Sequence, residues 1–321
     1  MLDVLAITVP IYVVAAIGYL CTRGGLFQRG DMRVLGKYVV NIALPALLFN
    51  ALSQRSVAEV FNPVFIAAYA IGSVAANLAG VFWARRVAGQ PLSAAAMIGL
   101  GMSNPNSGFI GFPLMALLFG PVNAGIGLAL AMVVENFVTI PLSLALAESG
   151  LADAGEGQGR GARLRFALVQ SLRGVLRNPM IWGLVAGFVF SLAGWRLAEP
   201  VARTVNLFAA ATASLSLFVI GGSLVGIRIG HMAREVAVVA AGKLVLHPLF
   251  VLAAVLLLPP MQRELQMIVV LMAAVPMLGI YPILAQKYGQ DAMAAAAQLG
   301  TTVASFFTLT AIIWAVRNWA G

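Results

Sequence analysis

The sequence predicts an all-α membrane protein in which ten transmembrane helices form two inverted five-helix repeats, with helices four and nine broken near their middles. Three observations carry that prediction. Of the 321 residues, 61% are hydrophobic and 10% charged, with a mean hydropathy of +0.95, whereas about a quarter of the residues of a soluble domain are charged. Apolar windows of about 20 residues, the length that crosses a bilayer as a helix, recur along the whole chain. Two of these windows are interrupted at corresponding places in the two halves, one by Pro, Asn and Gly around 104–108 and the other by Pro276, Gly279 and Pro282.

Taken in order, the windows fall at 2–22, 34–53, 63–84, 93–119, 122–147, 177–195, 204–226, 236–258, 264–285 and 292–316. The first lacks a basic leader and a small-residue cleavage site, so it is expected to be a helix of the mature protein. Gly120–Pro121 and Pro259–Pro260 read as turns between spans. In span four, Pro105 and Pro113 each remove a backbone donor, and Gly99, Gly101, Gly108 and Gly111 weaken the surrounding turns. A break is therefore expected near 104–107. Backbone freed at that depth is tolerated only where it is buried in protein or lines a watery cavity, and such breaks are where transporters bind their substrates.

Basic residues set the sidedness. Alternate connections hold Arg23, Arg29, Arg33, Lys37, Arg85, Arg86, Arg160, Arg163, Arg165, Arg173, Arg177, Arg228, Arg234 and Lys287; the others hold Arg55, Arg196, Arg203, Arg263 and Arg317. With Lys243 inside a span, that is 14 against 5, so the first set is placed in the cytoplasm and both termini outside. The net charge of +9 is thus a topological signal and does not point to nucleic acid.

The chain divides into a first repeat over 1–147, a cytoplasmic linker over 148–176 and a second repeat over 177–321. The linker begins small and polar, ESGLADAGEGQGRGAR, and continues as RLRFALVQSLRGVLR. There Leu164, Ala167, Leu168, Leu172 and Leu176 fall at helical spacing, which predicts an amphipathic helix on the membrane surface. Five spans per half require the second repeat to be inverted. A shift of 171 residues lays Pro105 on Pro276, and a shift of 170 lays VVENF (133–137) on VASFF (303–307) and Asn77 on His247.

NIALPALLF in span two, SNPNSGFIGFPL in span four, ENFVTIP in span five, GGSLVG in span seven, LVLHPLF in span eight and AAVPM in span nine resemble the auxin efflux carrier family. That family includes the plant PIN-formed auxin exporters and bacterial permeases labelled as malonate or malate transporters. The likeness runs from about Val4 to Val316. It implies an inverted repeat whose spans four and nine cross at prolines beside the substrate, and it assigns Asn104, Pro105, Asn106 and Pro276 to the site. The large central loop of the plant members is short here, so regulation through it is not carried over.

The residues themselves point to anion chemistry at the break. The second half of span four begins near Ser107, and the unpaired amides of a helix start favour a carboxylate. Asn104, Asn106 and Ser107 add side-chain donors beside the flexible Gly108, and Asn41, one turn before Pro45, is a further candidate. Glu135 lies midway along span five, where an unpaired carboxylate is expensive, so it is either protonated or partnered by Lys243, Asn136 or nearby hydroxyls. As a proton carrier it would load and unload while access alternates. Lys243, about 10 Å into span eight at helical rise, is placed to snorkel to the cytoplasmic face. His247 either shares in proton movement or is satisfied by a neighbouring hydroxyl or carbonyl.

Enzyme chemistry finds no HExxH, no metal-ligand cluster, no GxGD-like carboxylate pair and no base for Ser223. The single cysteine, Cys21, rules out an internal disulfide, and no cofactor is expected. The expectation is a multi-pass carrier of small organic anions in the cell membrane, with malonate or malate implied by the resemblance and a proton as coupling ion. A sodium symporter and a channel remain the alternatives, and a homodimer stays open.

Overall fold

The computed structural model describes residues 2–53, 61–153, 169, 173–226 and 233–318. These form α1 (Leu2–Arg23), α2 (Arg29–Ser53), α3 (Pro63–Arg86), α4 (Leu92–Ser103), α5 (Ser107–Leu151), α6 (Pro179–Ala193), α7 (Glu199–Ser223), α8 (Ala233–Leu257), α9 (Arg263–Ala274), α10 (Tyr281–Gln286) and α11 (Asp291–Asn318). No β-strand occurs among the described residues. By length and composition α2, α3, α5, α7, α8 and α11 qualify as membrane spans, and Val9–Arg23, α4 and α6 are shorter apolar helices.

Starts and stops follow local chemistry. Asn62 and Asn178 cap α3 and α6 through side-chain oxygens that accept the amides of Phe65 and Met180, each with a proline in the first turn. Gly120, at φ 81°, and Pro121 bend α5 into two arms, as the expected turn requires. The second arm, expected to end at 147, remains helical to Asp153. The amphipathic helix expected over 164–176 lies outside the described residues, apart from Val169 and the helical turn that ends the linker before Asn178.

Four prolines inside apolar helices are met by the same device. Leu44, Phe112, Ile140 and His247 each immediately precede a proline, and each donates its amide to the residue five back, closing a π turn at 39–43, 107–111, 135–139 and 242–246. A proline ring meets the carbonyl four residues earlier in a regular α-helix. One extra residue in the turn widens the helix around that clash. π turns gather at functional sites, and these four contain Asn41, Ser107, Glu135 with Asn136, and Lys243.

The helices pack in two groups. One holds α1, α2, α6 and α7; the other holds α3, α4, the second arm of α5, and α8 to α11, with α2 and α5 joining them. α4 and α9 both stop at the break expected for spans four and nine. Asn104–Asn106 and Val275–Ile280 then run against one another, paired antiparallel at Pro105 and Met277. Asn106 donates its amide to the Pro276 carbonyl at 2.7 Å and Leu278 donates to the Asn104 carbonyl at 2.9 Å. Each break therefore satisfies backbone freed by the other.

Candidate functional site at the paired helix breaks

A cavity of about 1020 Å³ lies between the two helix groups. Its inner end is built from Pro105, Asn106, Ser107, Gly108 and Phe109 of the first break, Leu278, Gly279 and Ile280 of the second, and Glu135 and Asn136 of α5; Val40 and Leu44 of α2 form another wall. Its outer part reaches Leu144, Arg173, Arg177, Asn178 and Leu284. On the opposite side of the breaks the helices close: Met272 packs on Gly111, Ile268 on Gly127 and Ala51 on Gly125. A Cβ at Gly127 would fall on the Ile268 side chain, so glycine is what lets α9 and α5 approach there.

Asn106 is the N-cap of α5, its Oδ1 accepting the Phe109 amide at 3.2 Å. Its Nδ2 faces Gly279 and has no acceptor among the described residues, which leaves a donor at the cavity. Asn104 stands behind this surface. It is wholly buried; its Oδ1 accepts from the Ser103 hydroxyl, and its Nδ2 is without a partner. Pro276 is likewise buried behind the lining. Asn41 is exposed and donates to the Lys37 carbonyl at 2.7 Å, while Val40 and Leu44 of the same turn face the cavity.

Glu135 is 5% exposed. Its Oε1 accepts from the Tyr69 hydroxyl at 2.9 Å and from the Ser107 hydroxyl, so its hydrogen-bond partners are these two and not Lys243. Asn136 turns its Nδ2 to the Met132 carbonyl. Lys243 does not snorkel: it is 0% exposed and donates to the Ala273 carbonyl at 2.5 Å. The physical reason is that the end of α9 offers an unsatisfied carbonyl nearer than water. His247 Nδ1 lies 3.0 Å from the Lys243 ammonium, and its Nε2 lies 2.8 Å from the Ser73 hydroxyl. An ammonium only donates, so with Lys243 protonated Nδ1 accepts and the ring proton sits on Nε2, directed at Ser73.

The two ionisable groups thus serve opposite helix ends. Lys243 supplies a donor where the last carbonyls of α9 carry partial negative charge, and Glu135, from the second arm of α5, accepts from the hydroxyl of Ser107 at the start of that helix, where the amides carry partial positive charge. Tyr69 and Ser73 belong to none of the span motifs. With Asn77 they occupy one face of α3 at four-residue spacing, a polar stripe in an apolar helix that could have marked them.

A family model described as "Membrane transport protein" matches residues 3–315. The chain belongs to that family. It is the family of auxin-efflux-like carriers that the span motifs resemble. Proteins similar to this chain include "Uncharacterized transporter YfdV" of Escherichia coli K12, 26% identical over 307 residues that cover 95% of this chain and 94% of the relative. The "Putative malonate transporter" of Rhizobium meliloti strain 1021 is 26% identical over 325 residues, 100% of this chain and 98% of the relative. An "Uncharacterized transporter" of Methanothermobacter thermautotrophicus is 25% identical over 74% of each chain. Family membership and the apolar helices make this a multi-pass membrane transporter.

Proposed function

We propose that the protein is a secondary active transporter of small organic anions, malonate, malate or a related carboxylate, that works by alternating access with a proton as coupling ion. The observation that carries this reading is the one-sided cavity ending on the paired helix breaks, where Asn106 Nδ2, Ser107 and Glu135 stand together. A carboxylate reaching that end meets a free amide donor and the positive end of α5. The name of the Rhizobium relative supports malonate as the first acid to try.

In this reading ten spans cross the cell membrane as inverted repeats over 1–147 and 177–321, joined by the 148–176 linker. The antiparallel pairing of Pro105 with Met277 supports the inversion, because it joins the breaks of spans four and nine head to tail. Arg173 and Arg177 line the cavity and are exposed, and basic residues gather on the cytoplasmic side, so in this reading the cavity opens inward and both termini lie outside. Glu135 exchanges its proton as access alternates, and its two hydroxyl donors hold the carboxylate when the proton has left.

A thermal-shift screen of the detergent-purified protein against mono- and dicarboxylates, each with and without sodium, tests the reading. Stabilisation by malonate or malate independent of sodium supports it. Stabilisation only with sodium would replace the proton, and indifference to every carboxylate would remove the substrate class.

A further inference from the structure

We propose that Arg173 and Arg177 form an anion-collecting mouth that selects dicarboxylates over monocarboxylates, an inference that rests on the organic-anion reading above. Both guanidinium-bearing residues line the outer part of the cavity, on the last turn before Asn178 caps α6. Four residues apart in sequence, they project from one side of a helical turn. Both are exposed, and neither side chain has a hydrogen-bond or ion-pair partner among the described residues. The remaining ionisable residue of the lining, Glu135, stands at the far end and is engaged by Tyr69 and Ser107.

Topology alone accounts for arginines at this face of the membrane, and Arg85 and Arg86 satisfy that rule without lining the cavity. What topology does not explain is two guanidiniums at one rim that have no partner among the described residues. Each presents forked donors that fit one carboxylate. Two forks at one mouth match the two ends of a short dianion, and a monocarboxylate uses only one of them. Their combined field also concentrates anions at the entrance, an effect that salt screens.

The test is exchange of radiolabelled malonate, with propionate as the monocarboxylate, in proteoliposomes near neutral pH. Arg173→Gln and Arg177→Gln are each expected to raise KM for malonate about tenfold, the factor that corresponds to roughly 1.4 kcal/mol, with kcat little changed and a much smaller rise for propionate. The wild-type KM should climb with ionic strength and that slope should flatten in the double variant, while Arg→Lys at both positions retains most of it. An unchanged malonate KM, or an equal rise for both acids, overturns the inference. So does an effect confined to liposomes containing phosphatidylglycerol, because lipid phosphate would then be what the arginines hold. Malonate exchange by the wild type with unaltered variants defeats the mouth alone; absence of any carboxylate exchange by the wild type defeats the proposed function together with it.

Discussion

Lys243→Met tests whether a buried ammonium holds the end of α9. The substitution keeps an unbranched chain of similar length in a slot that is 0% exposed and removes only the charge and its donors. Two acceptors are orphaned, the Ala273 carbonyl and His247 Nδ1. A buried polar group without a partner costs about 1–3 kcal/mol, and the relief of no longer burying an ammonium offsets part of that. A net loss of roughly 2–4 kcal/mol is expected. Unfolding in mixed detergent micelles, followed by tryptophan fluorescence, measures it. His247→Leu removes one of the same contacts, so the double variant should lose less than the sum of the singles by about 0.5–3 kcal/mol. Wild-type stability in Lys243→Met, or strict additivity in the cycle, would refute the idea that this lysine supports the helix break.

Three further outcomes are expected. Asn106→Ala removes the free donor at the cavity and should weaken malonate binding roughly 10- to 150-fold, the equivalent of about 1.5–3 kcal/mol for a hydrogen bond to a charged ligand; Asn104→Ala, behind the lining, should weaken it less, and isothermal titration reads both. Glu135→Gln keeps shape and fixes the neutral form, so it should abolish pH-driven accumulation while leaving exchange against internal substrate; full accumulation in this variant removes Glu135 as the coupling group. At the end of α5, Glu148 accepts from the Tyr288 hydroxyl at 2.8 Å and pairs with Lys287. Tyr288→Phe should therefore cost about 1–2 kcal/mol. Burial first, then the hydrogen bond and charge of Glu148, hold the Tyr288 hydroxyl above its ordinary value of 10.0. Its contribution is therefore complete below about pH 10 and fades only as pH rises through the higher folded value, so the loss should be constant from mildly acidic to neutral pH in thermal melts.

Composition made the membrane class legible, and the clustering of Asn104, Pro105 and Asn106 and of Pro276, Gly279 and Pro282 made both helix breaks legible, whereas Pro45, Pro113, Pro141 and Pro248 are carried inside continuing helices by π turns. Depth along a span was legible too, and marked Glu135 as costly. What the linear chain hides is which remote groups answer one another. Lys243 lies within snorkelling reach of the membrane face, and only the arrival of the Ala273 carbonyl from α9, 30 residues away in sequence, turns it inward. Glu148 reads as the first residue of a polar linker, yet the helix continues past it and Lys287, 139 residues away, closes on it. Tyr69 and Ser73 carry no motif, and their place beside Glu135 and His247 follows from how α3 packs on α5 and α8. The π turns lie between these cases. Each precedes an X-Pro step in an apolar span, a local signal with a local cause.

The central claim, a coupled carrier of organic anions, is tested most directly by malonate counterflow. Proteoliposomes of the wild-type protein preloaded with unlabelled malonate should take up external radiolabelled malonate transiently above equilibrium, saturably, and to a higher level when a pH gradient is imposed. Linear, unsaturable flux without stimulation from the far side, or no flux of any carboxylate, would contradict it.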